Sequence, residues 1–326
     1  MEVGTILYLD RKDIIKAVEP EEVMDVIENA YAMDLEGNYY MPHRMHVNKG
    51  PNTLLYMPCF TGDVFGTKIL SLFPGNAKHG KPVISGVVIL NDAETGTPQA
   101  ILDGAVITGL RTGAVGGVAV RHTAPDYLES LGLIGSGAQG FFQVYFACKA
   151  RPTIKEVFLY DLSTSKIKLL QGKLKQEFPG IAFKSTTSST ELLSKTSLII
   201  TATPSNEPVL PDDPKLLQNK HYIGIGSYKP DMREYPRAIY NLVKNVFIDT
   251  EHGFEESGDM IVPLRDNWVD QDFFVKMGEL IKNKERYETK RGTTFFKSVG
   301  MALFDITVSE YIYEQALIKG LGTKIK

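Results

Sequence analysis

Gly135, Gly137 and Gly140 lie in the run L-G-L-I-G-S-G-A-Q-G, residues 131–140, with the spacing G-x-G-x-x-G. The apolar residues before them read as a strand and those after them as a helix. In that setting the first glycine permits a tight turn, the second lets the main chain approach a pyrophosphate, and the third lets helix and strand pack closely. The helix N-terminus adds N–H donors and a partial positive charge. Asp161 ends the next strand-like run, about 20 residues on, where a carboxylate accepts hydrogen bonds from the ribose hydroxyls of an adenosine. A carboxylate there favours NAD(H) over NADP(H), whose 2′-phosphate it repels, although Ser163 leaves NADP(H) open. The plainer reading is a β-turn in which Asp161 caps the helix that follows.

A second set of residues is cationic: Arg44 in M-P-H-R-M, Lys68 in G-T-K-I-L and Arg111 in G-L-R-T-G-A. Each has apolar neighbours, a costly setting for a cation unless it meets an anion, and arginine suits a bidentate grip on a carboxylate. Together they suit a small molecule bearing a carboxylate. Taken singly, each also reads as a structural ion pair. His43 and His46 form H-x-x-H in a strand-like run, where such positions face opposite sides, so no metal site is expected.

The elements that must hold these groups fall into two kinds. After a short strand at Ile6–Leu9, Asp10 can cap one helix, and Pro20 can open a second that Gly37 stops. Short β-rich runs follow at 43–48, 53–57, 67–73, 85–90 and 97–102, reading as an antiparallel sheet. A helix at 104–119 is crowded with Gly109, Gly113, Ala114, Gly116, Gly117 and Ala119, which lets another backbone approach closely. From 130 onward strands and helices alternate, with strands at 130–134, 156–160, 198–201, 221–225 and 246–249, the grammar of a buried parallel sheet. A helix at 270–283, a loop at 291–294 and a final apolar helix at 298–318 complete the reading. The last helix is expected to return to the first domain, since the apolar stripes of both terminal helices otherwise lack partners.

Composition narrows the class. In 326 residues, 43% hydrophobic and 23% charged, the formal charge is −3 without a long single-sign run, so nucleic acid is not an expected partner. Two distant cysteines, Cys59 and Cys148, argue for a reducing compartment and against a disulfide framework. The residues up to Arg11, which include Glu2 and Asp10, show no leader-like apolar run, and no stretch approaches the ~20 apolar residues of a membrane span. The expectation is a cytoplasmic enzyme with no membrane partner.

Taken together, T-K-I-L-S-L-F-P-G-N at 67–76, R-T-G-A-V-G-G-V-A at 111–119 and G-S-G-A-Q-G at 135–140 resemble the ornithine cyclodeaminase and mu-crystallin family over almost the whole chain. The resemblance implies an α/β fold: a Rossmann nucleotide-binding domain at 121–299 and an α+β substrate-binding and dimerisation domain at 1–120 with 300–326, in a homodimer. It implies that Arg44, Lys68 and Arg111 hold the carboxylate of a small amino or imino acid, with Lys68 near the reacting nitrogen. It places Ser85, Arg111, Thr112, Gly135, Gly137, Ala138, Gln139, Gly140, Asp161, Thr203 and Gly226 against the cofactor. Ser298 and Val299 match the segment near the nicotinamide, and Ser298 also reads as the cap of the last helix.

One stretch departs from the family. In G-I-G-S-Y-K-P-D-M-R-E, residues 224–234, cyclodeaminases carry an aspartate where this chain has Tyr228. A phenol with an ordinary pKa of about 10 cannot replace an ionised carboxylate as base or as counter-ion to an ammonium. Asp231 and Glu234 lie near in sequence but are expected to be solvated or paired with Arg233. The Tyr228 version looks like the imine-reducing branch, which implies an NAD(P)H-dependent reductase of a cyclic imino acid such as Δ1-pyrroline-2-carboxylate, with Lys68 and Tyr228 as catalytic candidates. Ornithine cyclodeamination with bound NAD, an alanine-dehydrogenase-like reaction and a non-catalytic, cofactor-binding crystallin role are the alternatives.

Overall fold

The computed structural model describes residues 4–326, so Glu2, weighed above against a leader, lies outside them. The chain divides into two compact units: the residues up to Arg111 with Met301–Lys326, and Thr112–Gly300. The division runs through a helix whose far end lies near the boundary expected at residue 120.

The first unit contains β1 (Ile6–Leu9), α1 (Arg11–Ala17), α2 (Pro20–Glu36), β2 (Met45–Lys49), β3 (Asn52–Phe60), β4 (Val64–Leu72), β5 (Ile84–Asp92), β6 (Pro98–Asp103) and the start of α3 (Gly104–Thr123). Asp10 caps α1 by accepting from the N–H groups of Lys12 and Asp13; α2 opens on Pro20 and closes on Gly37, whose φ of 71° is left-handed. Strands β2 to β6 form the expected antiparallel meander. Pleating places Val64, Gly66, Lys68 and Leu70 of β4 on one face, and those four are its buried residues. The strand β1 adds parallel to β6.

The second unit continues with β7 (Ser130–Ile134), α4 (Ala138–Ala150), β8 (Glu156–Tyr160), α5 (Thr164–Glu177), β9 (Ala182–Ser185), α6 (Ser189–Lys195), β10 (Leu198–Thr201), α7 (Pro214–Leu217) and β11 (His221–Gly224). It ends with α8 (Arg237–Leu242), β12 (Val246–Ile248), α9 (Gly253–Glu256), α10 (Gly258–Arg265), β13 (Phe274–Lys276), α11 (Met277–Lys282) and β14 (Thr294–Lys297). All eight strands run parallel, in the order β13-β12-β14-β11-β10-β7-β8-β9. The central strands β7 and β10 are buried almost throughout, as a sheet covered on both faces requires. Chain order reverses between β7 and β10, and at such a switch point a doubly wound sheet opens a crevice at its carboxyl ends. The small residues of α3 do what their size suggests: a Cβ on Gly113 would stand 2.9 Å from the carbonyl of Phe142 in α4.

The chain then returns to the first unit through α12 (Ala302–Lys319) and β15 (Thr323–Ile325), which pairs antiparallel with β1. The helix α12 buries Leu303, Phe304, Ile306, Val308 and Ile312 against the meander and α2, where Phe304 meets Tyr31 edge-on at a centroid distance of 5.0 Å. Each such side chain contributes about 1.5–3 kcal/mol of burial, so truncating Phe304 is a way to unseat the helix.

Three expectations need correction. The helix read at 270–283 is broken, because the apolar run Phe274–Lys276 pairs as β13 beside β12 and leaves a short 3-10 turn at Gln271–Phe273 before it and α11 after it. The loop read at 291–294 leads into a buried strand, β14, between β11 and β12. The last helix begins at Ala302 with Met301 as N-cap, so Ser298 does not cap it.

Candidate active site

In the second unit a cavity of about 680 Å³ opens at the carboxyl ends of β7, β8 and β10, lined by Gly135, Gly137, Asp161, Ser163, Lys166 and Thr203 among others. The three glycines meet three different demands. Gly135 has φ +103°, and a Cβ there would stand 2.6 Å from the carbonyl oxygen of Ala202. Gly137 is the N-cap of α4 and faces open space, so its main chain is free for a ligand's approach. A Cβ on Gly140 would stand 2.6 Å from the carbonyl oxygen of Gly135, which fixes how closely α4 seats on β7. Ala138 is exposed and Gln139 half-buried at the same helix start, and the buried Ser136 hydroxyl has no protein partner.

Asp161 accepts the N–H of Ser136 at 2.7 Å and that of Ser163 at 2.8 Å, one on each carboxylate oxygen. The carboxylate is thereby pinned at the cavity wall while each oxygen keeps further lone-pair capacity. The cap of α5 is Ser163, with Asp161 making the turn before it. These features fit a dinucleotide: a glycine cradle, a helix N-terminus and an acceptor for a ribose.

Around this cavity the chain is braced by buried carboxylates, and here Glu234 departs from expectation. It is fully buried, not solvated: one oxygen accepts from the N–H and hydroxyl of Thr203, at 2.7 and 2.8 Å, and the other from the N–H of Gly226 at 2.8 Å. Gly226 approaches Thr203 so closely that a Cβ would collide with its backbone, which is why a side chain is excluded there. Asp231, by contrast, is exposed, as expected. Asp249 accepts from the Ser298 hydroxyl at 2.6 Å and from the N–H groups of Val299 and Gly300. Lys297 donates to the carbonyls of Ser227 and Ser298. Tyr228, at the tip of the loop after β11, is 41% exposed. Burial and then the charge of Asp231 push its phenol above the ordinary value, so it remains a protonated donor at neutral pH.

In the first unit, Lys68 on β4 and Arg111 on α3 are brought together by Asp305 of α12, a residue not singled out from sequence. Lys68 Nζ donates to Asp305 Oδ1 at 2.8 Å and Arg111 Nε donates to the same oxygen at 3.1 Å. All three side chains are buried. Burial pulls the Lys68 ammonium down to about 7; Asp305 opposes that, and the charges of Arg111 and Arg44 add to it. Arg44, half-buried in the segment before β2, is thus close enough for Lys68 to feel its charge. Ser85 lies exposed on β5, and Thr112 follows Arg111 with its carbonyl accepting from Gln143 at 2.7 Å. The sequence did hold a signal for Asp305: it is the lone charge in the apolar run M-A-L-F-D-I-T-V, residues 301–308.

Comparison with known proteins places this geometry. The chain is 36% identical over 282 residues to a Δ1-pyrroline-2-carboxylate reductase of Bacillus cereus, covering 84% of this chain and 85% of that one. A solved structure of the Δ1-pyrroline-2-carboxylate reductase of Thermococcus litoralis with NADH and L-proline superposes with a TM-score of 0.91 at 30% identity, covering 98% of this chain and all of that one, 100%. An archaeal alanine dehydrogenase dimer with bound NAD superposes at 0.89 with 28% identity, covering 99% of both chains. The model of the ornithine cyclodeaminase/mu-crystallin family matches residues 7–320, and this chain belongs to that family.

Proposed function

We propose that this protein is an NADH-dependent reductase that converts a cyclic imino acid, Δ1-pyrroline-2-carboxylate, to L-proline. One observation carries the choice over cyclodeamination: position 228, where cyclodeaminases carry an aspartate, is tyrosine, and the loop's other carboxylates do not replace it, since Glu234 is engaged by Thr203 and Gly226 and Asp231 is exposed to solvent.

The dinucleotide is held by Gly135, Gly137, Ala138, Gln139 and Gly140 at its phosphates, by Asp161 at the adenosine ribose, and by Ser85, Arg111, Thr112, Thr203, Gly226 and Ser298 around the remainder. NADP(H) is the weaker ligand because Asp161 repels a 2′-phosphate. Bound in reduced form, the cofactor supplies the hydride for the C=N carbon. Arg44 and Arg111 fix the substrate carboxylate, and Lys68 gives its proton to the imine nitrogen. The Nζ–H bond breaks with its electron pair left on Nζ, an N–H bond forms, and Lys68 recovers a proton from solvent. A lysine poised near 7 suits that exchange, since proton transfer is most efficient when donor affinity lies near the working pH. Tyr228 contributes a hydrogen-bond donor at the substrate.

The working form is a homodimer, joined through the first unit; the exposed apolar side chains Met45, Val47 and Phe60 on its sheet and the dimeric alanine dehydrogenase relative support this. The buried, unlinked thiols of Cys59 and Cys148 suit the cytoplasm. Among the described residues no helix is long and apolar enough to cross a membrane.

The test follows NADH absorbance with Δ1-pyrroline-2-carboxylate, alongside ammonia release from L-ornithine with catalytic NAD. NADH oxidation without ammonia is expected. Ammonia and proline from ornithine without net change in cofactor would overturn the reading in favour of cyclodeamination.

A further inference from the structure

Asp305 gathers two buried cations from separate elements onto one oxygen. Its Oδ1 takes both cations, Lys68 and Arg111, while its Oδ2 is buried with no hydrogen-bond partner. Glu234 and Asp249 engage both oxygens, whereas Asp259 leaves Oδ2 without a partner and takes two backbone N–H groups on Oδ1; Asp305 differs in that the two donors on its one oxygen are both cations. Arg111 meets the carboxylate through Nε, the lateral edge of its guanidinium. The terminal edge, Nη1 with Nη2, presents a second pair of parallel donors that can grip another carboxylate in bidentate fashion. The whole cluster is carried on three separate elements, β4, α3 and α12.

We propose that Asp305 is a positioning residue for imine reduction: by binding both cations on one oxygen it aims the Lys68 ammonium at the substrate nitrogen and turns the Arg111 fork toward the substrate carboxylate. The inference rests on the reductase reading above and adds to it the division of labour between the two cations. The charged and titratable groups around Lys68 are Asp305 on α12, Arg111 on α3, Arg44 before β2 and, beside Asp305, Cys59 on β3. Burial, reinforced by Asp305, pushes the Cys59 thiol up to about 12, so it does not compete as a proton donor near neutrality. Of the four, Asp305 alone favours the protonated lysine. With that charge removed, burial and two arginines act on Lys68 unopposed, and it loses its proton at lower pH.

The experiment measures kcat and KM against pH for the full-length protein, Asp305→Asn, Lys68→Met and the double variant, using NADH and Δ1-pyrroline-2-carboxylate. Circular dichroism and urea unfolding report on the folding of each variant independently of turnover. In Asp305→Asn we expect kcat to fall at least about tenfold, KM to rise through Arg111, and the basic limb to move down by about one pH unit or more. Adding Asp305→Asn to Lys68→Met should leave kcat where Lys68→Met had put it.

An Asp305→Asn enzyme with unchanged kcat and an unchanged limb overturns the inference, as does one that is merely less stable. Should the single variant not fold, the comparison of Lys68→Met with the double variant decides: a further tenfold loss of kcat shows that Asp305 does not act through Lys68. A parent protein that binds NADH but leaves the imine untouched overturns the reductase reading itself, and the inference with it.

Discussion

Two lysines of this chain are buried to the same degree and serve opposite ends. Lys68, in the first unit, directs its ammonium at a side-chain carboxylate shared with Arg111. Lys297, in the second, directs its ammonium at three backbone carbonyls, those of Gly224, Ser227 and Ser298, at 3.4, 2.7 and 2.9 Å. Burial lowers the proton affinity of both. The partners make the difference: three carbonyl acceptors match the three donors of an ammonium and hold the chain after β11 to the chain after β14. A carboxylate that already holds an arginine leaves a lysine with donors to offer a substrate. Burial and residue type alone therefore do not mark a catalytic lysine; what its hydrogens point at does.

The sharpest way to break this comparison is to remove each lysine as a near-isosteric neutral. Lys68→Met is expected to lower kcat by roughly 10²–10⁴-fold, the usual value of a general acid, while the protein still unfolds cooperatively near its original midpoint. Lys297→Met, which strips the counter-charge from Asp259, Glu234 and Asp249, should cost about 3–5 kcal/mol in urea unfolding. If Lys297→Met instead keeps its stability and loses turnover, the roles assigned to the two are reversed.

Acidity sharpens the contrast further. Because Lys68 titrates at about 7, below the ordinary 10.5, the donor form prevails below pH 7. Imine reduction should fall about tenfold per pH unit above that point, and oxidation of L-proline, which needs the unprotonated amine, should rise over the same range. A pH-independent rate between 6 and 9 would remove Lys68 from the proton transfer.

Within the second unit the glycines offer a smaller version of the same distinction. Gly135→Ala, at φ +103° against the Ala202 carbonyl, should destabilise the fold by about 1–3 kcal/mol. Gly137→Ala, with its Cβ in open space, should leave the thermal midpoint alone and weaken NADH about tenfold by calorimetry, roughly 1.4 kcal/mol.

Legibility followed the range of the interaction. The glycine run, the strands up to β8 and the cations at 44, 68 and 111 were readable because each announces itself within a few residues. The strands β9, β13 and β14 were missed, although β10 and β12 of the same length were read, because a lysine cuts short the apolar run in each (AFKS, FVK, TFFK) and only their neighbours in the sheet make them strands. Glu234 was misplaced for a related reason, since its partners Thr203 and Gly226 adjoin it only through the sheet's carboxyl edge. Asp305 was hidden most deeply: its partners lie 237 and 194 residues earlier in the chain, and a single aspartate in an apolar helix does not reveal which cation it meets.

That separation also sets an order of assembly. The second unit is one continuous stretch of chain and can fold while synthesis proceeds, whereas the first is closed by α12 and β15, which emerge after the second unit is complete. Until then Lys68 and Arg111 lack their carboxylate, β1 lacks one of its neighbours, and the meander lacks the helix that covers it. The long loop spanned by these contacts makes their closure slow relative to local structure. A nascent chain therefore carries a nearly finished nucleotide domain before it has a working cation cluster, and α12, made after that domain, is the element that makes the cluster competent.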